Sequence, residues 1–138
     1  MALAIGSPDK VAEYVQQKLT ANEKIMGMGH REYKVVDPRA SVLKPMARRL
    51  CSEGENKNLL QILETVENLC RQHFELKGKD IWANVEFYKG AVFKALGIPP
   101  HFFTAMFAMA RVNGYIAHFL EFNRNPRLIR PQVVYTGD

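Results

Sequence analysis

The sequence predicts a mostly α-helical chain of five helices, and three observations carry that prediction. Helix-start signals, a capping residue followed by proline, stand at Ser7-Pro8-Asp9 and Asp37-Pro38-Arg39. Apolar residues recur at three- and four-residue spacing through most of the chain. β-prone runs are confined to the tail, as at Val133-Val134-Tyr135.

The first helix is predicted over about residues 8–19, with Val11, Tyr14 or Val15, and Leu19 inward. A helix so near Met1 leaves little room for an earlier layer of core. Lys24 to His30 breaks helical logic, because Gly27 and Gly29 permit tight backbone geometry. The second helix starts at Asp37 and points Val42, Leu43, Met46, Ala47 and Leu50 inward. Pro45 should kink it or split it in two. Ser52 to Asn56 reads as a turn. The clearest helix follows over about 57–75, with Leu59, Leu63, Val66, Cys70 and His73 or Phe74 in one stripe. A fourth begins after Ala83-Asn84, carries Phe87, Ala91 and Leu96, and stops at Gly97-Ile98-Pro99-Pro100. The last spans about 101–121, and an irregular tail follows.

Composition is that of an ordinary globular protein. Of 138 residues, 47% are hydrophobic and 24% charged, which excludes disordered and low-complexity classes. The net charge of +5 is modest and suits a small anionic ligand as well as nucleic acid. Nucleic acid is the weaker partner, because the basic residues are dispersed and no recognition motif appears. Cys51 and Cys70 lack metal-ligand spacing, so no metal site is expected and the thiols read as buried or idle. The longest apolar run, Phe102 to Ala110, is too short and too soon followed by Arg111 to span a membrane. No signal peptide is visible. A cytoplasmic location is expected.

Candidate chemistry starts at His30, directly after a glycine loop whose N–H groups could meet an anion or a planar ligand. The alternative for His30 is an incidental role. Glu86 stands among Trp82, Phe87 and Tyr88, where apolar shielding would suit a general base. From composition alone the stronger reading is an early-helix acid favoured by the helix dipole. Arg39, Arg111 and Arg130 either converge on a polyanionic substrate or make three unrelated salt bridges. His118 reads as a core or interface histidine.

Several motifs are more specific. Gly27-Met28-Gly29-His30-Arg31-Glu32-Tyr33-Lys34 with Asp37-Pro38-Arg39, Asn84-Val85-Glu86-Phe87-Tyr88-x-Gly90, Phe107 to His118, and Arg127-Leu128-Ile129-Arg130-Pro131 closely resemble the citrate synthase family. The resemblance runs along essentially the whole chain, in family order. It implies a small helical domain over residues 1–100. Residues 101–138 would then be the start of the returning large-domain segment, with a long helix and an extended tail.

The resemblance further implies condensation of acetyl-CoA with oxaloacetate to give citrate and CoA. Propionyl-CoA, giving 2-methylcitrate, is the alternative. No permanently bound cofactor is implied. His30 would hold and polarise the oxaloacetate carbonyl, and Glu86 would take the proton from the acyl-CoA. Arg39 and Arg111 would clamp carboxylates, and Arg130 would reach the partner subunit's site in a homodimer. Met26, Gly27, Met28 and Gly29 would meet the adenine end of CoA through backbone groups, with Lys34 near the phosphates.

The sequence departs from the family pattern at two points. Glutamate replaces aspartate at position 86, a shift of up to about 1 Å in its oxygens that can cost roughly a hundredfold in rate. Glu32 stands where small or apolar residues are usual. The family's other catalytic histidine, set in a His-Gly-Gly-Ala-Asn-like segment, has no counterpart. The chain is therefore expected to be a fragment, inert alone, whose last helix packs back on the others, self-associates or swaps between chains, with a dimer or higher oligomer favoured over a monomer. A CoA-binding module without turnover and a purely structural subunit are the other two readings.

Overall fold

The computed structural model describes residues 1–129, 133–134 and 136–137. The chain divides into two compact units, Met1–Phe103 and Thr104–Asp138. Among the described residues the regular structure is helical, as the sequence predicts, and the sole β feature is an isolated bridge between Met28 and Ala83. Of the β-prone tail, Val133 and Val134 form no strand and Tyr135 lies outside the described residues. No helix is long and apolar enough to cross a membrane among the described residues.

The first unit is built on five α-helices rather than four. α1 (Ala2–Ile5) is a single turn that the sequence reading left out, and it corrects the expectation of no earlier core layer. Its Ile5 is buried in the common core. A short 3-10 turn, Pro8–Lys10, then leads into α2 (Val11–Thr20). Ser7 does not accept from the backbone at this start, so the expected hydroxyl cap is absent. Its hydroxyl instead bonds the Asp9 carboxylate and holds it below the ordinary range. Val11 and Val15 are buried, and Tyr14 and Leu19 pack beside them.

α3 (Pro38–Leu50) runs unbroken through Pro45, against the expected split. Pro45 lies on the exposed side of the helix, where water can serve the carbonyl its missing N–H leaves unpaired. Ala47 is buried as predicted, but Val42 faces out and Ala40 faces in. α4 (Gly54–Leu76) starts inside the stretch read as a turn. Its stripe is as expected, with Leu59, Leu63, Val66 and Cys70 all buried. α5 (Val85–Ala95) buries Phe87, Tyr88, Ala91 and Val92, while Leu96 past its end is exposed.

The helices of this unit close around α4 and α5. The buried Tyr88 hydroxyl donates to Glu67 Oε2 at 2.5 Å, and Lys44 Nζ reaches the same oxygen at 2.5 Å. Three helices thus share one polar contact inside an apolar core. Burial and the Glu67 carboxylate together push the Tyr88 phenol far up, so it stays protonated and donates. Cys51 and Cys70 are free and buried, and burial pushes the Cys70 thiol up to about 11.

A 3-10 turn, Pro100–Phe102, precedes α6 (Phe103–Arg124), which makes up most of the second unit. No residue of α6 is buried.

Candidate functional site

The glycine loop before His30 is a folded structure, held by its neighbours. Met28 N–H donates to the Ile25 carbonyl at 3.1 Å, closing a turn whose third residue, Gly27, has φ +86°. Such a turn needs glycine there. A Cβ on Gly27 would also stand 2.8 Å from Phe87 Cδ2 and 3.2 Å from Phe87 Cα. The loop is then sewn to the segment before α5. Gly29 N–H donates to the Trp82 carbonyl at 2.7 Å, and Asn84 N–H donates to the Gly27 carbonyl at 2.8 Å. Asn84 Nδ2 donates to the Gly29 carbonyl at 2.8 Å, while its Oδ1 caps α5 by accepting from Glu86 N–H at 2.9 Å. The N–H groups of Met28 and Gly29 are thus occupied inside the fold, which corrects the picture of a loop rich in exposed donors.

His30 follows directly and is partly buried. Its Nδ1 accepts from Glu32 N–H and Tyr33 N–H, both at 3.1 Å. A nitrogen facing two donors carries no proton, so Nε2 carries it. The backbone thereby fixes one neutral tautomer with a single N–H to offer. The ring stacks on Tyr33 at 4.4 Å between centroids. The Arg39 guanidinium lies 5.8 Å from the same Tyr33 ring, so one phenol ring braces both groups. Residues His30, Tyr33, Lys34, Asp37, Trp82 and Ala83 help to line a cleft of about 210 Å³. Lys34 hydrogen-bonds the Arg31 carbonyl at 3.3 Å on its wall.

Asp37 ties the site together. Its carboxylate is 1% exposed. Oδ1 accepts from Arg39 N–H and Arg39 Nε, both at 3.0 Å. Oδ2 accepts from Arg39 Nη2 at 2.9 Å and from Val85 N–H at 3.1 Å. The Arg39 guanidinium, chief among these partners, holds the Asp37 carboxyl below the ordinary range. Asp37 in turn raises Arg39, with a smaller contribution from Glu86. Arg39 and Glu86 therefore lie within electrostatic reach.

Of the two readings of Glu86, the structure bears out the early-helix acid, in the first turn of α5, and not the shielded carboxylate. Phe87 and Tyr88 turn into the core, and the Glu86 carboxylate faces out, 54% exposed. Apolar shielding is absent. Lys89, one turn on, places Nζ 2.5 Å from Glu86 Oε2. Glu86 stands at the rim of a second groove of about 480 Å³, whose walls include Met26, Leu63, Phe87 and Phe103. Met26 itself is exposed.

The remaining predicted residues are outside the first unit in sequence. Arg111 belongs to the second unit and stacks its guanidinium 5.0 Å from the Phe107 ring on its own helix. Arg130 lies outside the described residues. His118 is exposed and sits 3.6 Å from Glu121, so it is no core residue. Of the predicted set, the structure brings His30, Lys34, Arg39, Glu86 and the Met26–Gly29 loop onto neighbouring surfaces of one unit. Sequence reasoning missed Tyr33, Asn84, Lys89 and the second role of Asp37. The Asp-x-Arg spacing was the available signal for Asp37. Among the described residues no cluster of side chains could hold a metal ion.

The chain is similar to known proteins along nearly its whole length. Residues 1–132 match the family described as Citrate synthase, C-terminal domain. A citrate synthase from Deinococcus radiodurans is 43% identical over 133 residues, which is 96% of this chain and 35% of that protein. One from Synechocystis is 40% identical over 134 residues, 97% of this chain and 33% of that one. The structure of a Thermoplasma acidophilum citrate synthase, a ternary complex with carboxymethyl coenzyme A and oxaloacetate, superposes with a TM-score of 0.86 at 35% identity. That match covers 99% of this chain and 37% of the other. The chain thus spans about a third of the length of these relatives. On the family match along nearly its whole length, the chain belongs to the citrate synthase family.

Proposed function

We propose that the chain contributes the oxaloacetate-polarising side of a condensing site that joins acetyl-CoA to oxaloacetate. Water then cleaves the citryl thioester, giving citrate and CoA. The observation that carries this reading is the His30 tautomer. Two backbone N–H groups claim Nδ1, so the imidazole is a neutral donor through Nε2. A neutral donor aimed at a ketone oxygen stabilises the alkoxide as it forms, without full charge on the ring. Arg39, kept cationic by Asp37, supplies the charge that a substrate carboxylate needs beside it.

Glu86 is the general base in this reading. To take a proton from the acyl group its carboxylate must leave Lys89, which holds it in the free chain. Arg111 and Arg130 complete the carboxylate clamp, the latter across a homodimer. The Met26–Gly29 loop and Lys34 face the acyl-CoA. None of the four histidines, His30, His73, His101 and His118, lies in a glycine-rich segment of the kind that would stabilise the thioester enol. The 138 residues by themselves are expected to bind without condensing.

Trp82 is the single tryptophan and lines the His30 cleft, so its emission reports on that site. Oxaloacetate should quench it saturably, and His30→Ala should weaken the binding about tenfold or more. A wild-type chain blind to oxaloacetate would sink the reading. Thiol release with oxaloacetate and acetyl-CoA or propionyl-CoA completes the test. No release is expected from the chain alone, and faster release with propionyl-CoA would favour 2-methylcitrate formation.

A further inference from the structure

We propose that Asp37 is the positioning residue of this site: one buried carboxylate that sets the angle of the Arg39 fork and anchors the first turn of the helix bearing Glu86. The proposal rests on the reading that Arg39 receives a substrate carboxylate.

A helix cap requires one acceptor, and serine or asparagine supplies it. Asp37 does more. It fills four acceptor positions, and a single one of these, from Arg39 N–H, is the cap of α3. Two go to the Arg39 side chain and the fourth to Val85, 48 residues away in sequence at the first position of α5. Among common side chains, a carboxylate alone accepts at four sites with no donor of its own. Asparagine would turn an NH₂ toward either the guanidinium or the Val85 N–H. All four donors come from two helix N-termini and one guanidinium, set around a carboxylate that is almost fully buried.

The geometry has two effects on the site. Pairing through Nε and Nη2 locks the plane of the guanidinium and leaves three N–H groups of the fork for an anion. Bonding Val85 N–H through the same carboxylate ties the fork to the turn that begins with Val85 and Glu86. A side chain that only capped α3 would need neither contact.

Asp37→Ser separates the two roles, because serine keeps the α3 cap and releases the fork. With helicity intact, oxaloacetate binding followed through Trp82 should weaken about tenfold or more. In an Arg39→Ala background the same change should weaken binding no further. Unchanged binding in Asp37→Ser, or effects of the two substitutions that add, would overturn the proposal. A ligand-free readout guards against a variant that does not fold. In the wild-type chain the Arg39 Nε–H should exchange with solvent far more slowly than those of exposed arginines, seen by ¹⁵N NMR. Rapid exchange there would overturn the link itself. A protected Nε–H in a chain that never binds oxaloacetate would leave the Asp37–Arg39 link standing and overturn the functional reading instead.

Discussion

Gly27 answers to two constraints at once, and each alone excludes a side chain. Its φ of +86° is a conformation that costs an L-residue about 1–3 kcal/mol. A Cβ would meet the Phe87 ring and backbone at 2.8 and 3.2 Å, where backbone cannot yield cheaply. Overpacking of that kind adds about 1–3 kcal/mol. Gly27→Ala should therefore destabilise the chain by about 2–6 kcal/mol, read as a lower urea midpoint. A loss under about 1 kcal/mol would mean the turn relaxes freely. Gly29, at φ +84°, has only Ile81 at 3.7 Å before its missing Cβ, so the steric part of the penalty is specific to position 27. At this scale the sequence was readable where chemistry is local. Asp37 caps the helix it precedes, as the sequence predicts. The shielded reading of Glu86 fails, and its early-helix reading holds, because the side a helix residue faces depends on what packs against the helix. The neighbours Phe87 and Tyr88 went inward and carried Glu86 outward.

Among the helices, α3 and α5 share Asp37, and that sharing gives acid sensitivity a definite sign. The folded-state carboxyl is held below the ordinary aspartate value of 3.8, chiefly by Arg39. On acidification the unfolded chain takes up its proton first, so protons favour unfolding. The contribution is complete above the ordinary range and is lost as pH falls through the lower, folded value. Between about pH 5 and pH 3 the urea midpoint of the wild-type chain should fall more steeply than that of Asp37→Asn. Parallel slopes would show that Asp37 titrates alike in both states. The helices themselves were legible to different degrees. The α4 stripe declared itself because Leu59, Leu63, Val66 and Cys70 repeat on one face, and all four are buried. Pro45 misled, because it lies on the exposed side of α3, where water can serve the carbonyl it orphans, and the helix runs on through it. The contacts that join helices were invisible. Asp37–Val85 and Glu67–Tyr88 span 48 and 21 residues, and no local pattern encodes a partner at that distance.

For the molecule as a whole, the two units differ in what holds them. The first has a continuous core running from Ile5 to Val92. The second rests on α6, where Met109, Val112, Ile116, Phe119 and Leu120 are all exposed. Apolar faces of that size favour association. In solution the chain should sediment above its 15.8 kDa monomer mass, and Ile116→Glu with Leu120→Glu should shift it toward monomer. A wild-type chain that stays monomeric at tens of micromolar would refute this. The sequence pointed to that helix and its apolar character, but a chain read alone does not carry the surface that would cover it.

The stitching of Gly27 and Gly29 to Trp82 and Asn84, with Phe87 wedged against Gly27, has a mechanical consequence. Loop and helix start cannot slide past one another, so His30 and Glu86 ride on a single lever. Any swing that opens or shuts a cleft around them leaves these two segments fixed to each other and carries the His30 ring and the Glu86 carboxylate through the same arc.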